Sequence, residues 1–486
     1  MLEALRGLGY SAATALADII DNSMSARAGR VELTFRWDGT HSHVAILDDG
    51  QGMNAQELDL AMRLGEKSPL DQRRAGDLGR FGLGLKTASF SQCRRLTVAS
   101  LKSGQLNCLR WDLDVLAASS DDGWHLLEGP AEGSEELLQS LKEIDKGTIV
   151  VWERLDRIVT PGFTAQDFLN LMDTVEYHLA MVFHRYLDGP RPRLRLFMNG
   201  KAVAPWDPFL AKHPATWSSP VVRLLAGGGT EVQCHVLPHK DRLAPHEVQS
   251  AGGPDGWTAQ QGFYVYRNER LLLAGSWLSL GSARSWTKEE AHRLARIRLD
   301  ISNTADIDWK IDIRKSTARP PVSVRAELIR LAEDTRARAR RVFAHRGQPI
   351  RQSGAKPVAQ AWRAEHFKGG MRYRIEDSHP AVSAVLSEAG SFAHQVRAML
   401  RVLEETLPVQ RIWLDTTDGQ ETPRTGFSGT HSSEVQAVLS VMYRNLVLKK
   451  GMSPEIAREQ LLHTEPFNNY QELVAALPDT LDSGNQ

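Results

Sequence analysis

The chain has 486 residues in which 59 Lys+Arg are balanced by 59 Asp+Glu, so there is no global nucleic-acid footprint and any DNA contact has to be local. The length allows two to four domains, each with its own core. Cys93, Cys108 and Cys234 lack paired zinc spacing and cannot form a full disulfide framework, and the 16 histidines are scattered; with no run of about eighteen apolar residues, a cytoplasmic chain that is neither secreted nor membrane-spanning is expected.

The first element is a helix over residues 12–26. Positions four apart stack on a helix, so Asp18, Asn22 and Ser25 share one stripe while Leu16, Ile20 and Met24 occupy the opposite one. Magnesium takes one or two hard oxygen ligands from protein beside phosphate oxygens, and the Asn22 amide oxygen suits that role. A carboxylate one turn earlier, at Asp18, can take a proton from a water attacking a terminal phosphate. Taken alone, the same spacing also describes a solvated helix face.

Val44 to Leu47 then reads as a buried strand, ending in the turn Asp48-Asp49-Gly50-Gln51-Gly52-Met53, whose glycines let backbone approach a ligand. Asp48 could accept a hydrogen bond from an adenine amino group or belong to an ordinary turn. Gly79-Arg80-Phe81-Gly82-Leu83-Gly84 leads into an expected helix over Leu85 to Phe90, so that backbone N–H groups and a helix N-terminus could meet phosphate. The run fits neither the dinucleotide fingerprint nor a P-loop.

In this order and spacing the three elements resemble the GHKL ATPases, the superfamily of DNA gyrase, the large heat-shock chaperones, histidine kinases and MutL. The resemblance implies an α/β fold, a two-layer Bergerat-type sandwich with helices on one face of a mixed sheet, binding ATP and Mg2+. It implies Asp18 as general base, Asn22 as magnesium ligand, Asp48 as adenine anchor, Gly50 and Gly52 as the floor under the base, and Met53 as a further ATP-binding residue. Gly79, Gly82 and Gly84 would lie at the phosphates, with Lys86 as a possible phosphate contact and Arg80, Phe81 and Leu83 as further ATP-binding residues, and residues 54–78, with Lys67, would form a lid. Thr148, in Lys146-Gly147-Thr148-Ile149-Val150, would reach adenine through water. Most hydrolysing members carry Glu where this chain has Asp18; the shorter side chain withdraws the carboxylate by roughly an ångström, which can cost about a hundredfold in rate. Asp21 is a second base candidate, about 60° off the Asn22 stripe. Histidine kinases carry a phosphoaccepting histidine on a helical hairpin ahead of the ATP domain, and the seventeen residues before Asp18 speak against that branch.

The ATP domain is expected over 1–155 and a second α/β domain over 156–345. In the latter, Gly262 to Tyr266 and Leu271 to Leu273 flank the turn Arg267-Asn268-Glu269-Arg270 as a hairpin. Trp309 to Lys315 alternates like a half-buried strand. This region resembles the transducer domain of MutL, gyrase and microrchidia (MORC) ATPases, which implies Lys315 as a sensor of the terminal phosphate, with Lys310 and Arg314 as substitutes. The stretch from Met62 to Thr87 is most similar to MORC proteins and their bacterial relatives. Those relatives sit beside restriction and phage-defence genes, implying a DNA-directed role in genome defence, nuclease or helicase partners, and an ATP-dependent homodimer that acts as a clamp.

Between Arg325 and Arg351, arginines outnumber acids, and Arg336, Arg338, Arg340 and Arg341 are candidate DNA contacts; a solvated helix is the plainer alternative. Ala326, Ile329, Ala332 and Val342 would form its apolar side. Residues 346–360 read as a linker, and 361–486 as a mostly helical module with helices over Ser391 to Leu407 and Ser433 to Leu448 and a strand over Gln410 to Asp415. Two further functions share the ATP motifs: a chaperone-like ATPase acting on protein clients, and a nucleotide-gated scaffold that barely hydrolyses ATP.

Overall fold

The structure, a computed structural model, describes residues 6–7, 9–63, 84–118, 125–224, 229–253, 255–282, 284–302, 308–311, 317–344, 359–367, 370–412, 433–467 and 470–479. The chain divides into two compact units, Met1–Gln348 and Pro349–Gln486.

In the first unit, β1 (Arg30–Arg36), β2 (His43–Asp48), β3 (Arg95–Lys102), β4 (Gln105–Asp112), β5 (Leu127–Glu128), β6 (Gly147–Glu153), β7 (Arg195–Met198) and β8 (Lys201–Ala202) build one sheet in the order β5-β4-β3-β6-β2-β1-β7-β8. It is mixed because β7 runs parallel to β1, with Arg30 opposite Arg195, whereas β2 and β6 pair antiparallel. The expected boundary at residue 155 therefore falls inside this sheet, whose last two strands come from beyond it.

Alternation along β1 turns Val31, Leu33 and Phe35 inward. They pack in one cluster with Ala15, Leu16, Ile19 and Ile20 of the Ala12–Ser25 helix, and full burial of each leucine or isoleucine contributes about 1.5–3 kcal/mol. Ser11 caps this helix, its hydroxyl accepting from Thr14 N at 3.2 Å, worth about 1 kcal/mol. A smaller cluster, Ala45, Ala99, Ile149 and Val151 with Leu138 and Leu141, covers the opposite face beneath the 3-10 segment Glu135–Glu143.

The second sheet is built from β9 (Trp217–Ser218), β10 (Val222–Leu224), β11 (Thr230–Val236), β12 (Gly262–Arg267), β13 (Arg270–Ser276) and β14 (Ala295–Ile301). Its order is β10-β11-β14-β12-β13, with β9 on β11. The expected hairpin is present as β12 and β13, and positive φ at both Asn268 (47°) and Glu269 (67°) makes its turn the two-residue type that matches strand twist. The Val322–Ala344 helix packs on this sheet through Val324, Leu328, Leu331, Ala332 and Ala339. Of the expected apolar side, Ala332 is buried, but Ala326 is exposed.

Two expected strands are corrected over their described residues, 309–311 and 410–412, while 312–315 and 413–415 lie outside the described residues. Asp308, Trp309 and Lys310 form a turn, with Lys310 at φ 47° and Trp309 fully buried in the second core; one large side chain fills a core slot where alternation had suggested a strand. Residues 409–412 are helical, Ile412 N donating to Pro408 O at 2.9 Å.

The second unit also holds a hairpin that sequence reading missed, β15 (Trp362–Phe367) and β16 (Gly370–Ile375). Its facing charges pair across the two strands, Arg372 Nε donating to Glu365 Oε1 at 2.7 Å, in a region expected to be mostly helical. The helical core of this unit comprises Leu439, Met442, Tyr443, Leu446, Ala457, Leu461, Phe467 and Val474.

Candidate nucleotide site

Asp48, a residue 5% exposed, ends β2. Its Oδ2 accepts from Ser23 Oγ at 2.8 Å and its Oδ1 from Gly50 N at 2.9 Å. Burial pushes its pKa up, while the bonds from Ser23, Gly50 and Thr148 pull it down. Thr148 faces Asp48 across the β2·β6 pair, and its hydroxyl lies 2.9 Å from Ser100 Oγ. Ser100 in turn accepts from Met53 N at 2.7 Å. Asp48, Gly50, Met53 and Thr148 thus belong to one polar chain at the end of the central strands.

The glycines there answer to space. A Cβ on Gly52, whose φ is +65°, would meet Leu101 O at 2.1 Å, and one on Gly147 would meet Asp48 O at 2.0 Å. A carboxylate so held can accept a hydrogen bond from an exocyclic amine, with bare backbone to either side.

The Ala12–Ser25 helix is tied to this strand end by Ser23. Its neighbour Asn22 is exposed, with an amide oxygen that fits a single magnesium contact. Asp18 is buried and meets Arg270 of β13, whose Nη2 lies 3.5 Å from Asp18 Oδ1. The same guanidinium holds Asp21, with Nε to Oδ1 at 3.1 Å and Nη2 to Oδ2 at 3.1 Å. Sequence reading missed Arg270, because its partners lie 249 and 252 residues away.

Lys86 is buried in the Gly84–Phe90 helix, where its ammonium donates to Ala61 O at 2.9 Å and Arg63 O at 2.5 Å. Those bonds clip the end of the Ala55–Met62 helix to the site. Lys67, Gly79, Arg80, Phe81, Gly82, Leu83, Arg314 and Lys315 lie outside the described residues.

The basic helix is corrected at Arg336. This side chain turns inward, its guanidinium 4.8 Å from the ring of Trp277 and 4.9 Å from that of Trp286. Arg338 is half-buried over Trp217 at 4.1 Å. Arg340 and Arg341 are exposed.

Neither of two surface concavities includes Asp18, Asn22 or Asp48. One, of about 350 Å³, runs past Tyr10, Thr14, His178 and Arg270; the other, of about 640 Å³, lies between Leu58, Asn107, Cys108 and Leu138. Burial pushes the Cys93 thiol well up and that of Cys108 up to about 11, so both stay protonated and neither suits nucleophilic work. Among the described residues there is no cluster of three metal-binding side chains and no helix long and apolar enough to cross a membrane.

Residues 10–148 match the family described as histidine kinase-, DNA gyrase B-, and HSP90-like ATPase. The DNA mismatch repair protein MutL of Rhodospirillum rubrum is 30% identical over 197 residues, covering 38% of this chain and 28% of that protein. The chain thus spans under a third of that relative's length. Among solved structures, the ATPase region of Saccharomyces cerevisiae topoisomerase II aligns at 12% identity and a TM-score of 0.37, covering 67% of this chain and 83% of the other. The ATPase and transducer domains of DNA topoisomerase II from Balamuthia mandrillaris align at the same identity and score, covering 68% and 82%.

Proposed function

We propose, on the premise that residues 10–148 are an ATP-binding domain of the GHKL ATPase family, that this chain hydrolyses ATP slowly and uses the nucleotide to control a DNA-directed clamp. The observation that carries the reading is the Ser23–Asp48 bond. It joins the helix bearing Asp18 and Asn22 to the strand end bearing Asp48, so adenine recognition and phosphate chemistry fall within one frame.

Asp48 accepts from the adenine amino group, and Gly50, Gly52 and Thr148 shape the floor around it. Asn22 would hold magnesium, which when bound supplies positive charge to the phosphate oxygens. Asp18 accepts the proton of the water that attacks the terminal phosphate, and as Asp rather than Glu it does so from a withdrawn position. Gly79, Gly82 and Gly84 offer backbone N–H groups to phosphate, and Lys315 senses the terminal group from the second domain.

The name of the mismatch-repair relative and the exposed Arg340 and Arg341 favour DNA as partner. The likeness of residues 62–87 to bacterial MORC-type proteins extends this to genome defence, with closure coupled to a homodimer.

Phosphate release by purified protein with magnesium ATP, with and without duplex DNA, tests the reading. Release that DNA stimulates and Asp18→Ala abolishes, while a non-hydrolysable analogue still binds, is expected. Binding without release in any condition would leave a nucleotide-gated scaffold instead. Light scattering that gives one monomer mass with and without the analogue would remove the clamp.

A further inference from the structure

The Asp18–Arg270–Asp21 cluster joins the nucleotide-site helix to a strand of the second sheet, with all three side chains at most 7% exposed. On a helix advancing about 100° per residue, Asp21 lies about 60° to one side of Asp18 and Asn22 about 40° to the other. Arg270 therefore approaches Asp18 from the flank opposite Asn22.

The guanidinium is aimed by its surroundings. Nη1 donates to Leu271 O at 2.8 Å, and Cζ lies 5.9 Å from the centroid of the Phe183 ring. Nε and Nη2 form a fork on Asp21, and the single longer contact, 3.5 Å, falls on Asp18. Its hairpin is seated as well: Tyr186 Oη donates to Asn268 O, and Arg193 pairs with Glu269. Asp21 anchors the cation, the hairpin holds it, and Asp18 receives its remaining reach.

We propose that Arg270 is a positioning residue for the hydrolytic base: anchored by Asp21, it aims Asp18 at the attacking water and links that aim to the second sheet. This rests on the proposed role of Asp18. Arg270 touches no substrate in this scheme. A buried carboxylate that must act from a shortened side chain gains most from being held, since displacement of about an ångström costs on the order of a hundredfold in rate.

The test compares wild type, R270K and D21N for kcat, KM, affinity for a non-hydrolysable ATP analogue, and thermal midpoint. Lysine keeps the buried positive charge but is a point charge that cannot serve both carboxylates as the fork does; R270Q would leave two buried carboxylates without a cation and is expected to fold poorly, so R270K carries the test. The expected result is a fall in kcat of roughly ten- to hundredfold for R270K, and a fall in the same direction for D21N, with analogue affinity and midpoint near those of wild type. Wild-type kcat in R270K overturns the proposal, as does a loss of kcat matched by equal losses of analogue affinity and thermal midpoint, which marks a merely structural role. Wild-type protein that binds ATP without turnover overturns the hydrolytic reading and this inference together, whereas wild-type turnover with an unaffected R270K overturns this inference alone.

Discussion

Ser23 Oγ donates to Asp48 Oδ2 at 2.8 Å across 25 residues of sequence. The bond fastens the last turns of a helix to the end of the central strand pair. It also partly offsets the burial that makes the charged form of Asp48 costly.

That cost predicts a trade between stability and binding at Asp48. A carboxyl whose folded pKa is raised adds no penalty below its unfolded value; as pH climbs the unfolded chain ionises first, and the penalty is complete above the folded pKa. Asp48→Asn is therefore expected to match or exceed wild type in thermal midpoint at pH 7, with the difference growing from about pH 4 upward, while ATP binding is lost. Paired melting curves and fluorescent-nucleotide titration check both halves. A neutral variant that binds ATP normally would contradict the anchor role.

Gly52 and Gly39 both have positive φ, but only Gly52 is crowded. Gly52→Ala combines left-handed strain with a Cβ 2.1 Å from Leu101 O, and is expected to cost about 2–4 kcal/mol. Gly39→Ala, in open space, should cost about 1–2 kcal/mol. Urea denaturation of the two variants, read as midpoint shifts, decides; equal shifts would mean that the contact with Leu101 is relieved by backbone movement.

Two buried histidines predict acid sensitivity. Burial, with Arg185 beside one and Arg298 beside the other, holds His184 down to about 3 and His235 to about 4, from an ordinary 6.5. Above the ordinary value both states are neutral and nothing is lost. As pH falls below it the unfolded chain takes up protons that the folded chain refuses, so stability drops by about 1.4 kcal/mol per histidine per pH unit down to each folded pKa. His184 bonds to Tyr266 Oη at 2.8 Å, and His184→Gln retains a polar partner there. The variant's urea midpoint should fall less steeply than that of wild type between pH 6.5 and 4; identical slopes would count against a neutral buried imidazole.

The basic helix separates into two kinds of arginine. Arg336→Ala removes a cation held by Trp277 and Trp286 and is expected to cost about 1–3 kcal/mol. A double Arg340→Glu, Arg341→Glu variant should keep its melting temperature but bind duplex DNA more weakly, with the salt slope reduced by about two. Unchanged DNA affinity and slope would remove these two residues from any interface.

Two elements of the candidate site could be read from sequence because their signals are local. The Asp18 to Asn22 spacing needs only helix periodicity, the turn after Asp48 needs only strand followed by glycine, and both elements formed where expected. Lys86 shows the limit of such reading: a lysine beside a glycine-rich run suggests phosphate, yet its ammonium is aimed at Ala61 and Arg63 carbonyls. Trp309 shows another, since apolar alternation also describes a turn that buries one tryptophan.

The sequence by itself determined the first helix, the glycine turn after Asp48 and the hairpin around Asn268-Glu269, because periodicity and turn signals act over a few residues. Only the tertiary structure decided that β7 completes the first sheet from beyond residue 155, that Arg336 faces inward between two rings, and that Arg270 meets Asp18 and Asp21. Each of those depends on which surfaces are buried together. A buried charge must find its partner in space, and neither its own neighbours in the chain nor its spacing from them records where that partner lies.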